Sequence, residues 1–273
     1  MWRSYTLLGM RRKYHPTDLS DEEWACLKAH LPPPKSPGRP RSHCLRDIFD
    51  AIFYVLRSGC PWRLLPGDFP PWSTVYYHFR SFRLKGLRHL VLRALHAAER
   101  KRAGRNPEPS AAILDSQSVK TVGESAGIKG YDPHRKVGGR KWHLLVDTLG
   151  LPLSIYVTPA NVRDQHGARF LLIGRRWLMP HLKKIWADGA YGVPWLKTWC
   201  KKEGGWKLEI GERDLQSKGF EVLPRRWVVE RTFGWLSRNR RLAKDYERRV
   251  QTSETLIEIA IIRLLLRRLG RAA

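Results

Sequence analysis

The apolar positions of the first hundred residues follow the spacing of α-helices. Over residues 44–58, leucine, isoleucine and phenylalanine recur every three or four positions, which predicts an amphipathic helix that ends at Gly59. Ser20 and Glu23 have the spacing of a capping box, so an earlier helix is predicted to begin there. Later helices are predicted over 74–86, with Ser73 as its cap, and over 86–102. We therefore expect an all-helical domain in this part of the chain.

The pattern changes after the polar linker at 101–110. Residues 111–119 read as a buried strand, and residues 139–164 read as a β-hairpin around a "DTLG" turn. A helix is then predicted from Asp164 to about residue 178, followed by a short strand that ends at Asp188. A helix, another strand and an arginine-rich helix complete this part. Such an order of elements predicts an α/β domain over residues 110–250.

The charge of the chain points to a polyanionic partner. Its formal net charge is +26 and its pI is near 10.5, so DNA or RNA is the expected partner. An anionic membrane surface is the alternative, but no basic amphipathic anchor stands out. The apolar C-terminal stretch is interrupted by Glu258 and Arg263 and is shorter than the ~20 residues of a membrane span. We therefore expect a cytoplasmic protein with no membrane partner.

Two aspartates of the α/β region lack a local structural explanation. Asp147 lies in a turn and Asp164 at a helix start, where aspartate often forms hydrogen bonds to nearby backbone groups. Asp115 and Asp188, by contrast, each end an apolar strand, where a buried carboxylate needs neutralisation. Carboxylates at neighbouring strand ends can converge on a hard cation. These two residues are therefore candidate metal ligands.

Glu230 is the acidic residue within the arginine-rich segment 225–241. One interpretation is an ion pair with Arg226, which lies four residues earlier on the same helical face. The other is a metal ligand held beside a nucleic-acid backbone, because Gly234 and Ser237 on the same face leave room beside the carboxylate. The residues alone leave both interpretations open.

Several sequence blocks resemble one known family. The segments "ILDSQSVKT", "KIWADGAYG" and "RWVVERTFGWLSRNRRLAKDYE" closely resemble the signature blocks of DDE transposases from bacterial insertion sequences, specifically the insertion-sequence-five family. The N-terminal "TDLSDEEWACLKAHLP", "GRPR" and "AIFYVLRSGCPWRLLPGDFPPWSTVYYHFRSF" look like the helical domain that precedes the catalytic core in that family. The resemblance begins near Met10, which marks residues 1–9 as an expected upstream extension.

The resemblance implies an α/β fold class: a ribonuclease-H-like mixed-sheet catalytic domain preceded by a small all-α DNA-binding domain. The expected domains are 10–102 (helical, DNA-binding), 110–250 (catalytic) and 251–273 (C-terminal helix). The acidic triad of the family falls on Asp115, Asp188 and Glu230, which are expected to be catalytic and to bind Mg²⁺, as two ions, with Mn²⁺ as a substitute. Such a pair of ions activates a nucleophile and stabilises the leaving oxygen at phosphorus.

The resemblance also implies partners and DNA contacts. The expected partners are terminal inverted repeats and target DNA, with a homodimer or larger assembly on paired DNA ends. In the Y-x2-R-x3-E-x6-K signature of the wider superfamily, Leu223 and Ser237 replace the tyrosine and lysine, and Arg238 or Arg241 is the expected substitute for the lysine. The expected DNA contacts are Arg226, Arg231, Arg238, Arg240, Arg241, Lys244, Lys136, Arg140, Lys141, Arg39 and Arg41.

Other interpretations stay open at this stage. A ribonuclease-H-like nuclease that cuts without joining would use the same acids but would not obviously need the helical domain. A catalytically inactive DNA-binding derivative would be favoured by an altered triad. The helical domain itself reads either as a helix-turn-helix-like DNA reader or as a support for the catalytic domain. The "GRPR" segment reads either as a minor-groove contact or as a solvated linker.

Overall fold

The computed structural model describes residues 14–33, 42–123, 127–211 and 226–271. The chain divides into two compact units. The first, here the helical unit, comprises residues up to Glu99 with Asn239–Leu242 and Glu258 onwards. The second, here the sheet unit, comprises Arg100–Arg238 and Ala243–Ile257. Arg39, Arg41 and Leu223 lie outside the described residues, and Arg226 is described only as part of a helix.

The helical unit contains helices α1 (Asp21–Lys28), α2 (Leu45–Ser58) and α3 (Trp72–Leu84), most of α4 (Leu87–Arg102), and the C-terminal part of α8 (Val250–Gly270). The predicted capping box at Ser20 and Glu23 is confirmed. So is the predicted end of α2, because Gly59 adopts the left-handed conformation that favours glycine, with a φ of 78°. The prediction of Ser73 as a cap is wrong: α3 begins one residue earlier with Pro71 as its N-cap residue, so Ser73 lies inside the first turn.

Buried ion pairs and an apolar helix hold the helical unit together. Helix α2 is buried along nearly its whole length and packs against α3. Arg263 of α8 donates to Glu23 of α1 at 2.6 Å, and Arg88 of α4 pairs with Glu258 of α8. These pairs join α8 to the first and last helices of the N-terminal region. Among helices of the described ranges, none has the length and apolar character needed to cross a membrane.

The sheet unit is built on a mixed sheet. Within the described residues its strands are β1 (Ala111–Lys120), β2 (Gly130–Asp132), β3 (Val137–Asp147), β4 (Pro152–Pro159), β5 (Lys184–Ala187) and β6 (Lys207–Ile210). The order is β2-β3-β1-β5-β6, with β4 also paired to β3. Strand β3 is antiparallel to β1, β2 and β4, whereas β5 is parallel to both β1 and β6. This mixed sheet confirms the expected α/β, ribonuclease-H-like fold class.

Helices cover this sheet. Helices α5 (Asp164–Leu172) and α6 (Pro194–Gly204) pack in one apolar cluster with residues of β1 and β5 that include Ala112, Leu114 and Ala187. Helix α7 (Arg226–Ser237) contacts β1 without contributing to that cluster, which places it against the other face. Because side chains alternate along a strand, Ile113 and Asp115 belong to the face of α7. This alternation is what positions the candidate site.

Two boundaries differ from the sequence-based expectations. Asp115 does not end its strand, because β1 continues to Lys120 through pairing with β3. Helix α5 ends at Leu172 and not near residue 178, since Gly174 has a φ of 66° and a separate 3₁₀ turn follows at Arg176–Leu178. Long-range strand pairing and a glycine break account for these differences.

Candidate active site

Asp115 lies within β1, and Asp188 directly follows the neighbouring parallel strand β5. The register pairs Ala111 with Lys184 and Ile113 with Trp186, and the same offset of 73 residues (184 − 111, 188 − 115), continued two residues past the last pair, would align Asp115 with Asp188. Neighbouring strands lie about 4.8 Å apart, which is a distance that one cation can bridge with two carboxylates. Asp115 is 6% exposed, and Asp188 accepts a hydrogen bond from the Ala190 N–H at 3.0 Å. The strand register thus favours proximity of these two predicted ligands.

The buried Tyr191 lies within electrostatic reach of three carboxylates. Its side chain is buried, and burial raises the pKa of the phenol well above its usual value. The negative charges of Asp115, Asp164 and Asp188 raise that pKa further, while the neighbouring Ser116 hydroxyl lowers it. The phenol is therefore neutral, and its pKa reflects the charges of three aspartates that the sequence separates by up to 73 residues (188 − 115).

Asp164 has a different role from the helix cap that its position predicts. The N-cap residue of α5 is Arg163, and the Asp164 carboxylate lies one position later. Its Oδ1 accepts a hydrogen bond from the Ser116 hydroxyl at 2.8 Å and lies 3.0 Å from the Lys141 Nζ. Asp164 is thus a site residue that the sequence analysis missed, and no sequence signal distinguishes it from an ordinary first-turn aspartate.

Glu230 is exposed on helix α7. Contacts with the turn between β3 and β4 fix this helix: the Arg231 guanidinium donates to the Leu149 carbonyl at 3.0 Å, and the Thr232 hydroxyl donates to the Gly150 carbonyl at 2.7 Å. Across the described ranges, no three histidine, cysteine or acidic side chains form a group that could hold a metal ion. The structure therefore places Asp115 in β1, Asp188 directly after the neighbouring β5 and Glu230 on a helix that contacts β1, and the three do not form one ligand set among the described residues.

The donor chemistry of Asp115 and Asp188 fits a hard divalent cation. Both residues offer carboxylate oxygens, which Mg²⁺ and Mn²⁺ prefer as ligands. The register of β1 and β5 favours their proximity. A carboxylate as deeply buried as Asp115 carries a large desolvation cost that a bound cation would offset. Glu230 is the third acid that α7 would supply on the same face.

Two of the predicted phosphate contacts, Arg140 and Lys141, are internal side chains, which corrects the prediction for them, and a third, Arg231, is half-buried. Arg140 is fully buried and forms an ion pair with Asp245 at 3.0 Å, while Lys141 is buried between two aspartates. Arg231 lies with its guanidinium 4.6 and 4.8 Å from the ring centres of Trp227 and Trp235. These cations contact partners within the fold: Arg140 and Lys141 form internal ion pairs, and Arg231 lies over two indole rings.

The other predicted contacts remain accessible to different degrees. Arg241 is half-buried and donates to the Cys60 carbonyl at 3.3 Å. Four predicted phosphate contacts are exposed: Lys136, Arg238, Arg240 and Lys244. Lys136 lies at the turn before β3, with a φ of 52°. These four residues are the described cations from that prediction that an external phosphate can reach with least rearrangement.

Comparisons with known proteins agree with this architecture. Residues 19–92 match a family model described as "Putative transposase of IS4/5 family", and residues 106–265 match "Transposase DDE domain". The chain is 33% identical over 117 residues to "Insertion element IS402 uncharacterized 16.2 kDa protein" of Burkholderia cepacia, covering 38% of this chain and 74% of that protein. It is 28% identical over 141 residues to "Putative transposase for insertion sequence element IS402" of the same organism, covering 49% of this chain and 66% of that protein. The resemblance inferred from the sequence is confirmed, and the chain belongs to the transposase DDE domain family of insertion sequences.

Proposed function

We propose that this transposase binds the terminal inverted repeats of an insertion sequence and catalyses metal-dependent DNA strand cleavage and strand transfer. The observation that supports the proposal is the register of β1 and β5, which pairs Ile113 with Trp186 and, continued by two residues, would align Asp115 with Asp188 on the sheet face that α7 contacts. The same helix carries Glu230. One strand, the turn that follows a second strand, and one helix thus carry the three acids that the family resemblance assigns to catalysis.

In this proposal each acid has a distinct structural support. Asp115 would hold a divalent ion from within β1, where it pairs with β3 just beyond the stretch paired with β5, and Asp188 would hold it from the 3₁₀ turn that its own carboxylate caps. Glu230 approaches from helix α7. When bound, the ions activate a water or a 3′-hydroxyl and stabilise the leaving oxygen during in-line displacement at phosphorus. Neutral Tyr191 packs beside the aspartates without adding charge.

The DNA-binding part of the proposal depends on exposed cations. With a net charge of +26, the chain attracts a phosphate backbone over a long range, and this attraction weakens as salt concentration rises. Lys136, Arg238, Arg240 and Lys244 are the exposed candidates for phosphate contacts. The fully buried Arg140 and the buried Lys141 are excluded from this group because their internal ion pairs would have to break first.

Cleavage and joining of DNA with the flanking element ends would test the proposal. Wild type should cut and join in Mg²⁺ or Mn²⁺, whereas Asp188→Asn and Glu230→Gln should bind the DNA and do neither. Glu209→Gln is the matched control, because Glu209 lies on β6 with Lys184 and Lys207 as partners and should retain both activities. If Glu230→Gln cuts as fast as wild type, Glu230 is only a partner of Arg226.

The same assay separates the alternatives. Cut ends without joined product, under conditions in which the ends are bound, would favour a nuclease. Specific binding with neither reaction in Mg²⁺ or Mn²⁺ would favour an inactive DNA-binding derivative. Retained activity in Asp188→Asn would contradict the assignment of Asp115 and Asp188 as a pair of metal ligands. The strand register would then no longer support the proposal.

A further inference from the structure

Each of the three polar groups of Ser116 forms a hydrogen bond, and one of these bonds contacts the neighbouring Asp115. Its N–H donates to Oδ1 of Asp115 at 2.7 Å, and its hydroxyl donates to Oδ1 of Asp164 at 2.8 Å. Its carbonyl accepts a hydrogen bond from Arg135 at 2.7 Å. Because neighbouring side chains in a strand point to opposite faces, the Ser116 hydroxyl lies on the α5 face and the Asp115 carboxylate on the α7 face. Ser116 thus connects the two faces at the candidate metal ligand.

The Asp164 carboxylate is itself held by a buried cation. Lys141 Nζ lies 3.0 Å from Asp164 and 3.2 Å from Asp132, and it donates to the Val162 carbonyl at 3.1 Å. Asp132 also accepts a hydrogen bond from the Ser118 hydroxyl at 2.6 Å. One ammonium therefore separates two carboxylates that would otherwise repel each other. This network extends from β3 through α5 to Ser116.

We propose that Ser116 and Asp164, held by Lys141, are positioning residues that fix the Asp115 carboxylate for divalent-metal binding. This inference rests on the proposed function, because it assumes that Asp115 is a metal ligand. The network contacts the metal site from behind, through the Ser116 backbone, and does not itself supply a ligand. Residues that orient metal ligands change metal affinity by roughly 10–100-fold when they are replaced.

The chain offers two matched pairs of variants for a test. Ser116→Ala and Ser118→Ala each remove a hydroxyl from the same face of β1 and break one hydrogen bond to an aspartate of the network. Asp164→Asn and Asp132→Asn each remove one carboxylate partner of Lys141. In each pair only the first variant acts on the residue next to Asp115: Ser116 is that residue, and Asp164 accepts its hydrogen bond. General loss of stability should therefore affect both members, and loss of positioning only the first.

The primary measurement is Mn²⁺ binding to the full chain without DNA, with free Mn²⁺ quantified by electron paramagnetic resonance. We expect Asp115→Asn to abolish the proposed site, and Ser116→Ala and Asp164→Asn to weaken Mn²⁺ binding by about 10-fold. Ser118→Ala and Asp132→Asn should stay within about twofold of wild type. Should one first member fail to fold, as judged by circular dichroism, the other pair still provides the comparison.

The outcomes separate this inference from the proposed function. Equal Mn²⁺ affinity within both matched pairs would overturn the positioning role while leaving the metal site intact. Wild type that binds Mn²⁺ no better than Asp115→Asn would overturn the metal site itself, and the inference with it. As a second readout, Ser116→Ala should need more Mg²⁺ for half-maximal cleavage but reach the wild-type rate at saturation. A merely structural defect would lower the rate at every Mg²⁺ concentration.

Discussion

Replacing Lys141 by methionine should destabilise the sheet unit strongly. The Lys141 side chain is 6% exposed, and its Nζ lies within 3.2 Å of both Asp132 and Asp164. Methionine preserves much of the length and apolar volume of the side chain but removes the cation, so the buried Asp132 and the half-buried Asp164 carboxylates lose their shared partner. Removal of one member of a buried ion pair typically costs about 3–5 kcal/mol. That is a large fraction of the roughly 5–15 kcal/mol that stabilises most native proteins.

The cost should also depend on pH. Burial raises the pKa of Asp132, but hydrogen bonds from Ser118 and the Arg135 backbone, together with Lys141, lower it to about 2. A carboxyl whose folded pKa is depressed stabilises the fold above its unfolded pKa, near 3.8, and loses this contribution as the pH falls towards 2. Without Lys141 the Asp132 carboxyl loses one of the partners that lower its pKa and takes up a proton at higher pH. The penalty of Lys141→Met should therefore shrink between pH 7 and about pH 4.

Urea unfolding followed by tryptophan fluorescence measures this effect. Lys136→Met is the matched control, because it removes the same charge from an exposed turn, and we expect a change within about 0.5 kcal/mol. Asp164→Asn should recover part of the loss when it is combined with Lys141→Met, since it removes one of the stranded charges. Equal stability of the two lysine variants at pH 7 would refute the internal role of Lys141.

Three further outcomes follow from other buried or open positions. Burial lowers the pKa of His143 from its ordinary value of 6.5 to about 3, so between these pH values the unfolded chain binds one proton more than the folded chain. The free energy of unfolding therefore falls by about 1.4 kcal/mol per pH unit on acidification, and His143→Gln should remove this slope from acid unfolding curves. Gly167→Ala should cost about 1–3 kcal/mol, because its Cβ would lie 2.0 Å from the His143 ring, whereas Gly234→Ala in open space should gain about 0.5–1 kcal/mol; equal melting temperatures would contradict this. Arg231→Ala should lower the free energy of unfolding by about 2 kcal/mol and leave the dependence of DNA affinity on salt concentration unchanged. Lys244→Ala should instead reduce the slope of log affinity against log salt concentration by about one. The reverse pattern would make Arg231 the phosphate contact and Lys244 the structural residue.

Local patterns were sufficient where a feature depends on neighbours in sequence. The capping box at Ser20, the glycine end of α2 and the hairpin of β3 and β4 all follow from short-range chemistry, and the structure confirms each. The desolvation argument selected Asp115 and Asp188, and the register of β1 and β5 agrees with their proximity, but their role as metal ligands stays a prediction. The assignment of Glu230 as their third partner remains a prediction.

Tertiary structure decided which charged residues are internal. Exposed Lys136 and buried Lys141 are five residues apart, and composition treats them alike, yet pairing of β3 with its neighbours encloses only the second. Asp164 looks like a helix cap until the fold brings β1 and Lys141 against it. The sequence by itself determined the elements, the net charge and the candidate acids, because these depend on local periodicity and residue type. Only long-range pairing determined which cations are neutralised within the fold and which remain exposed.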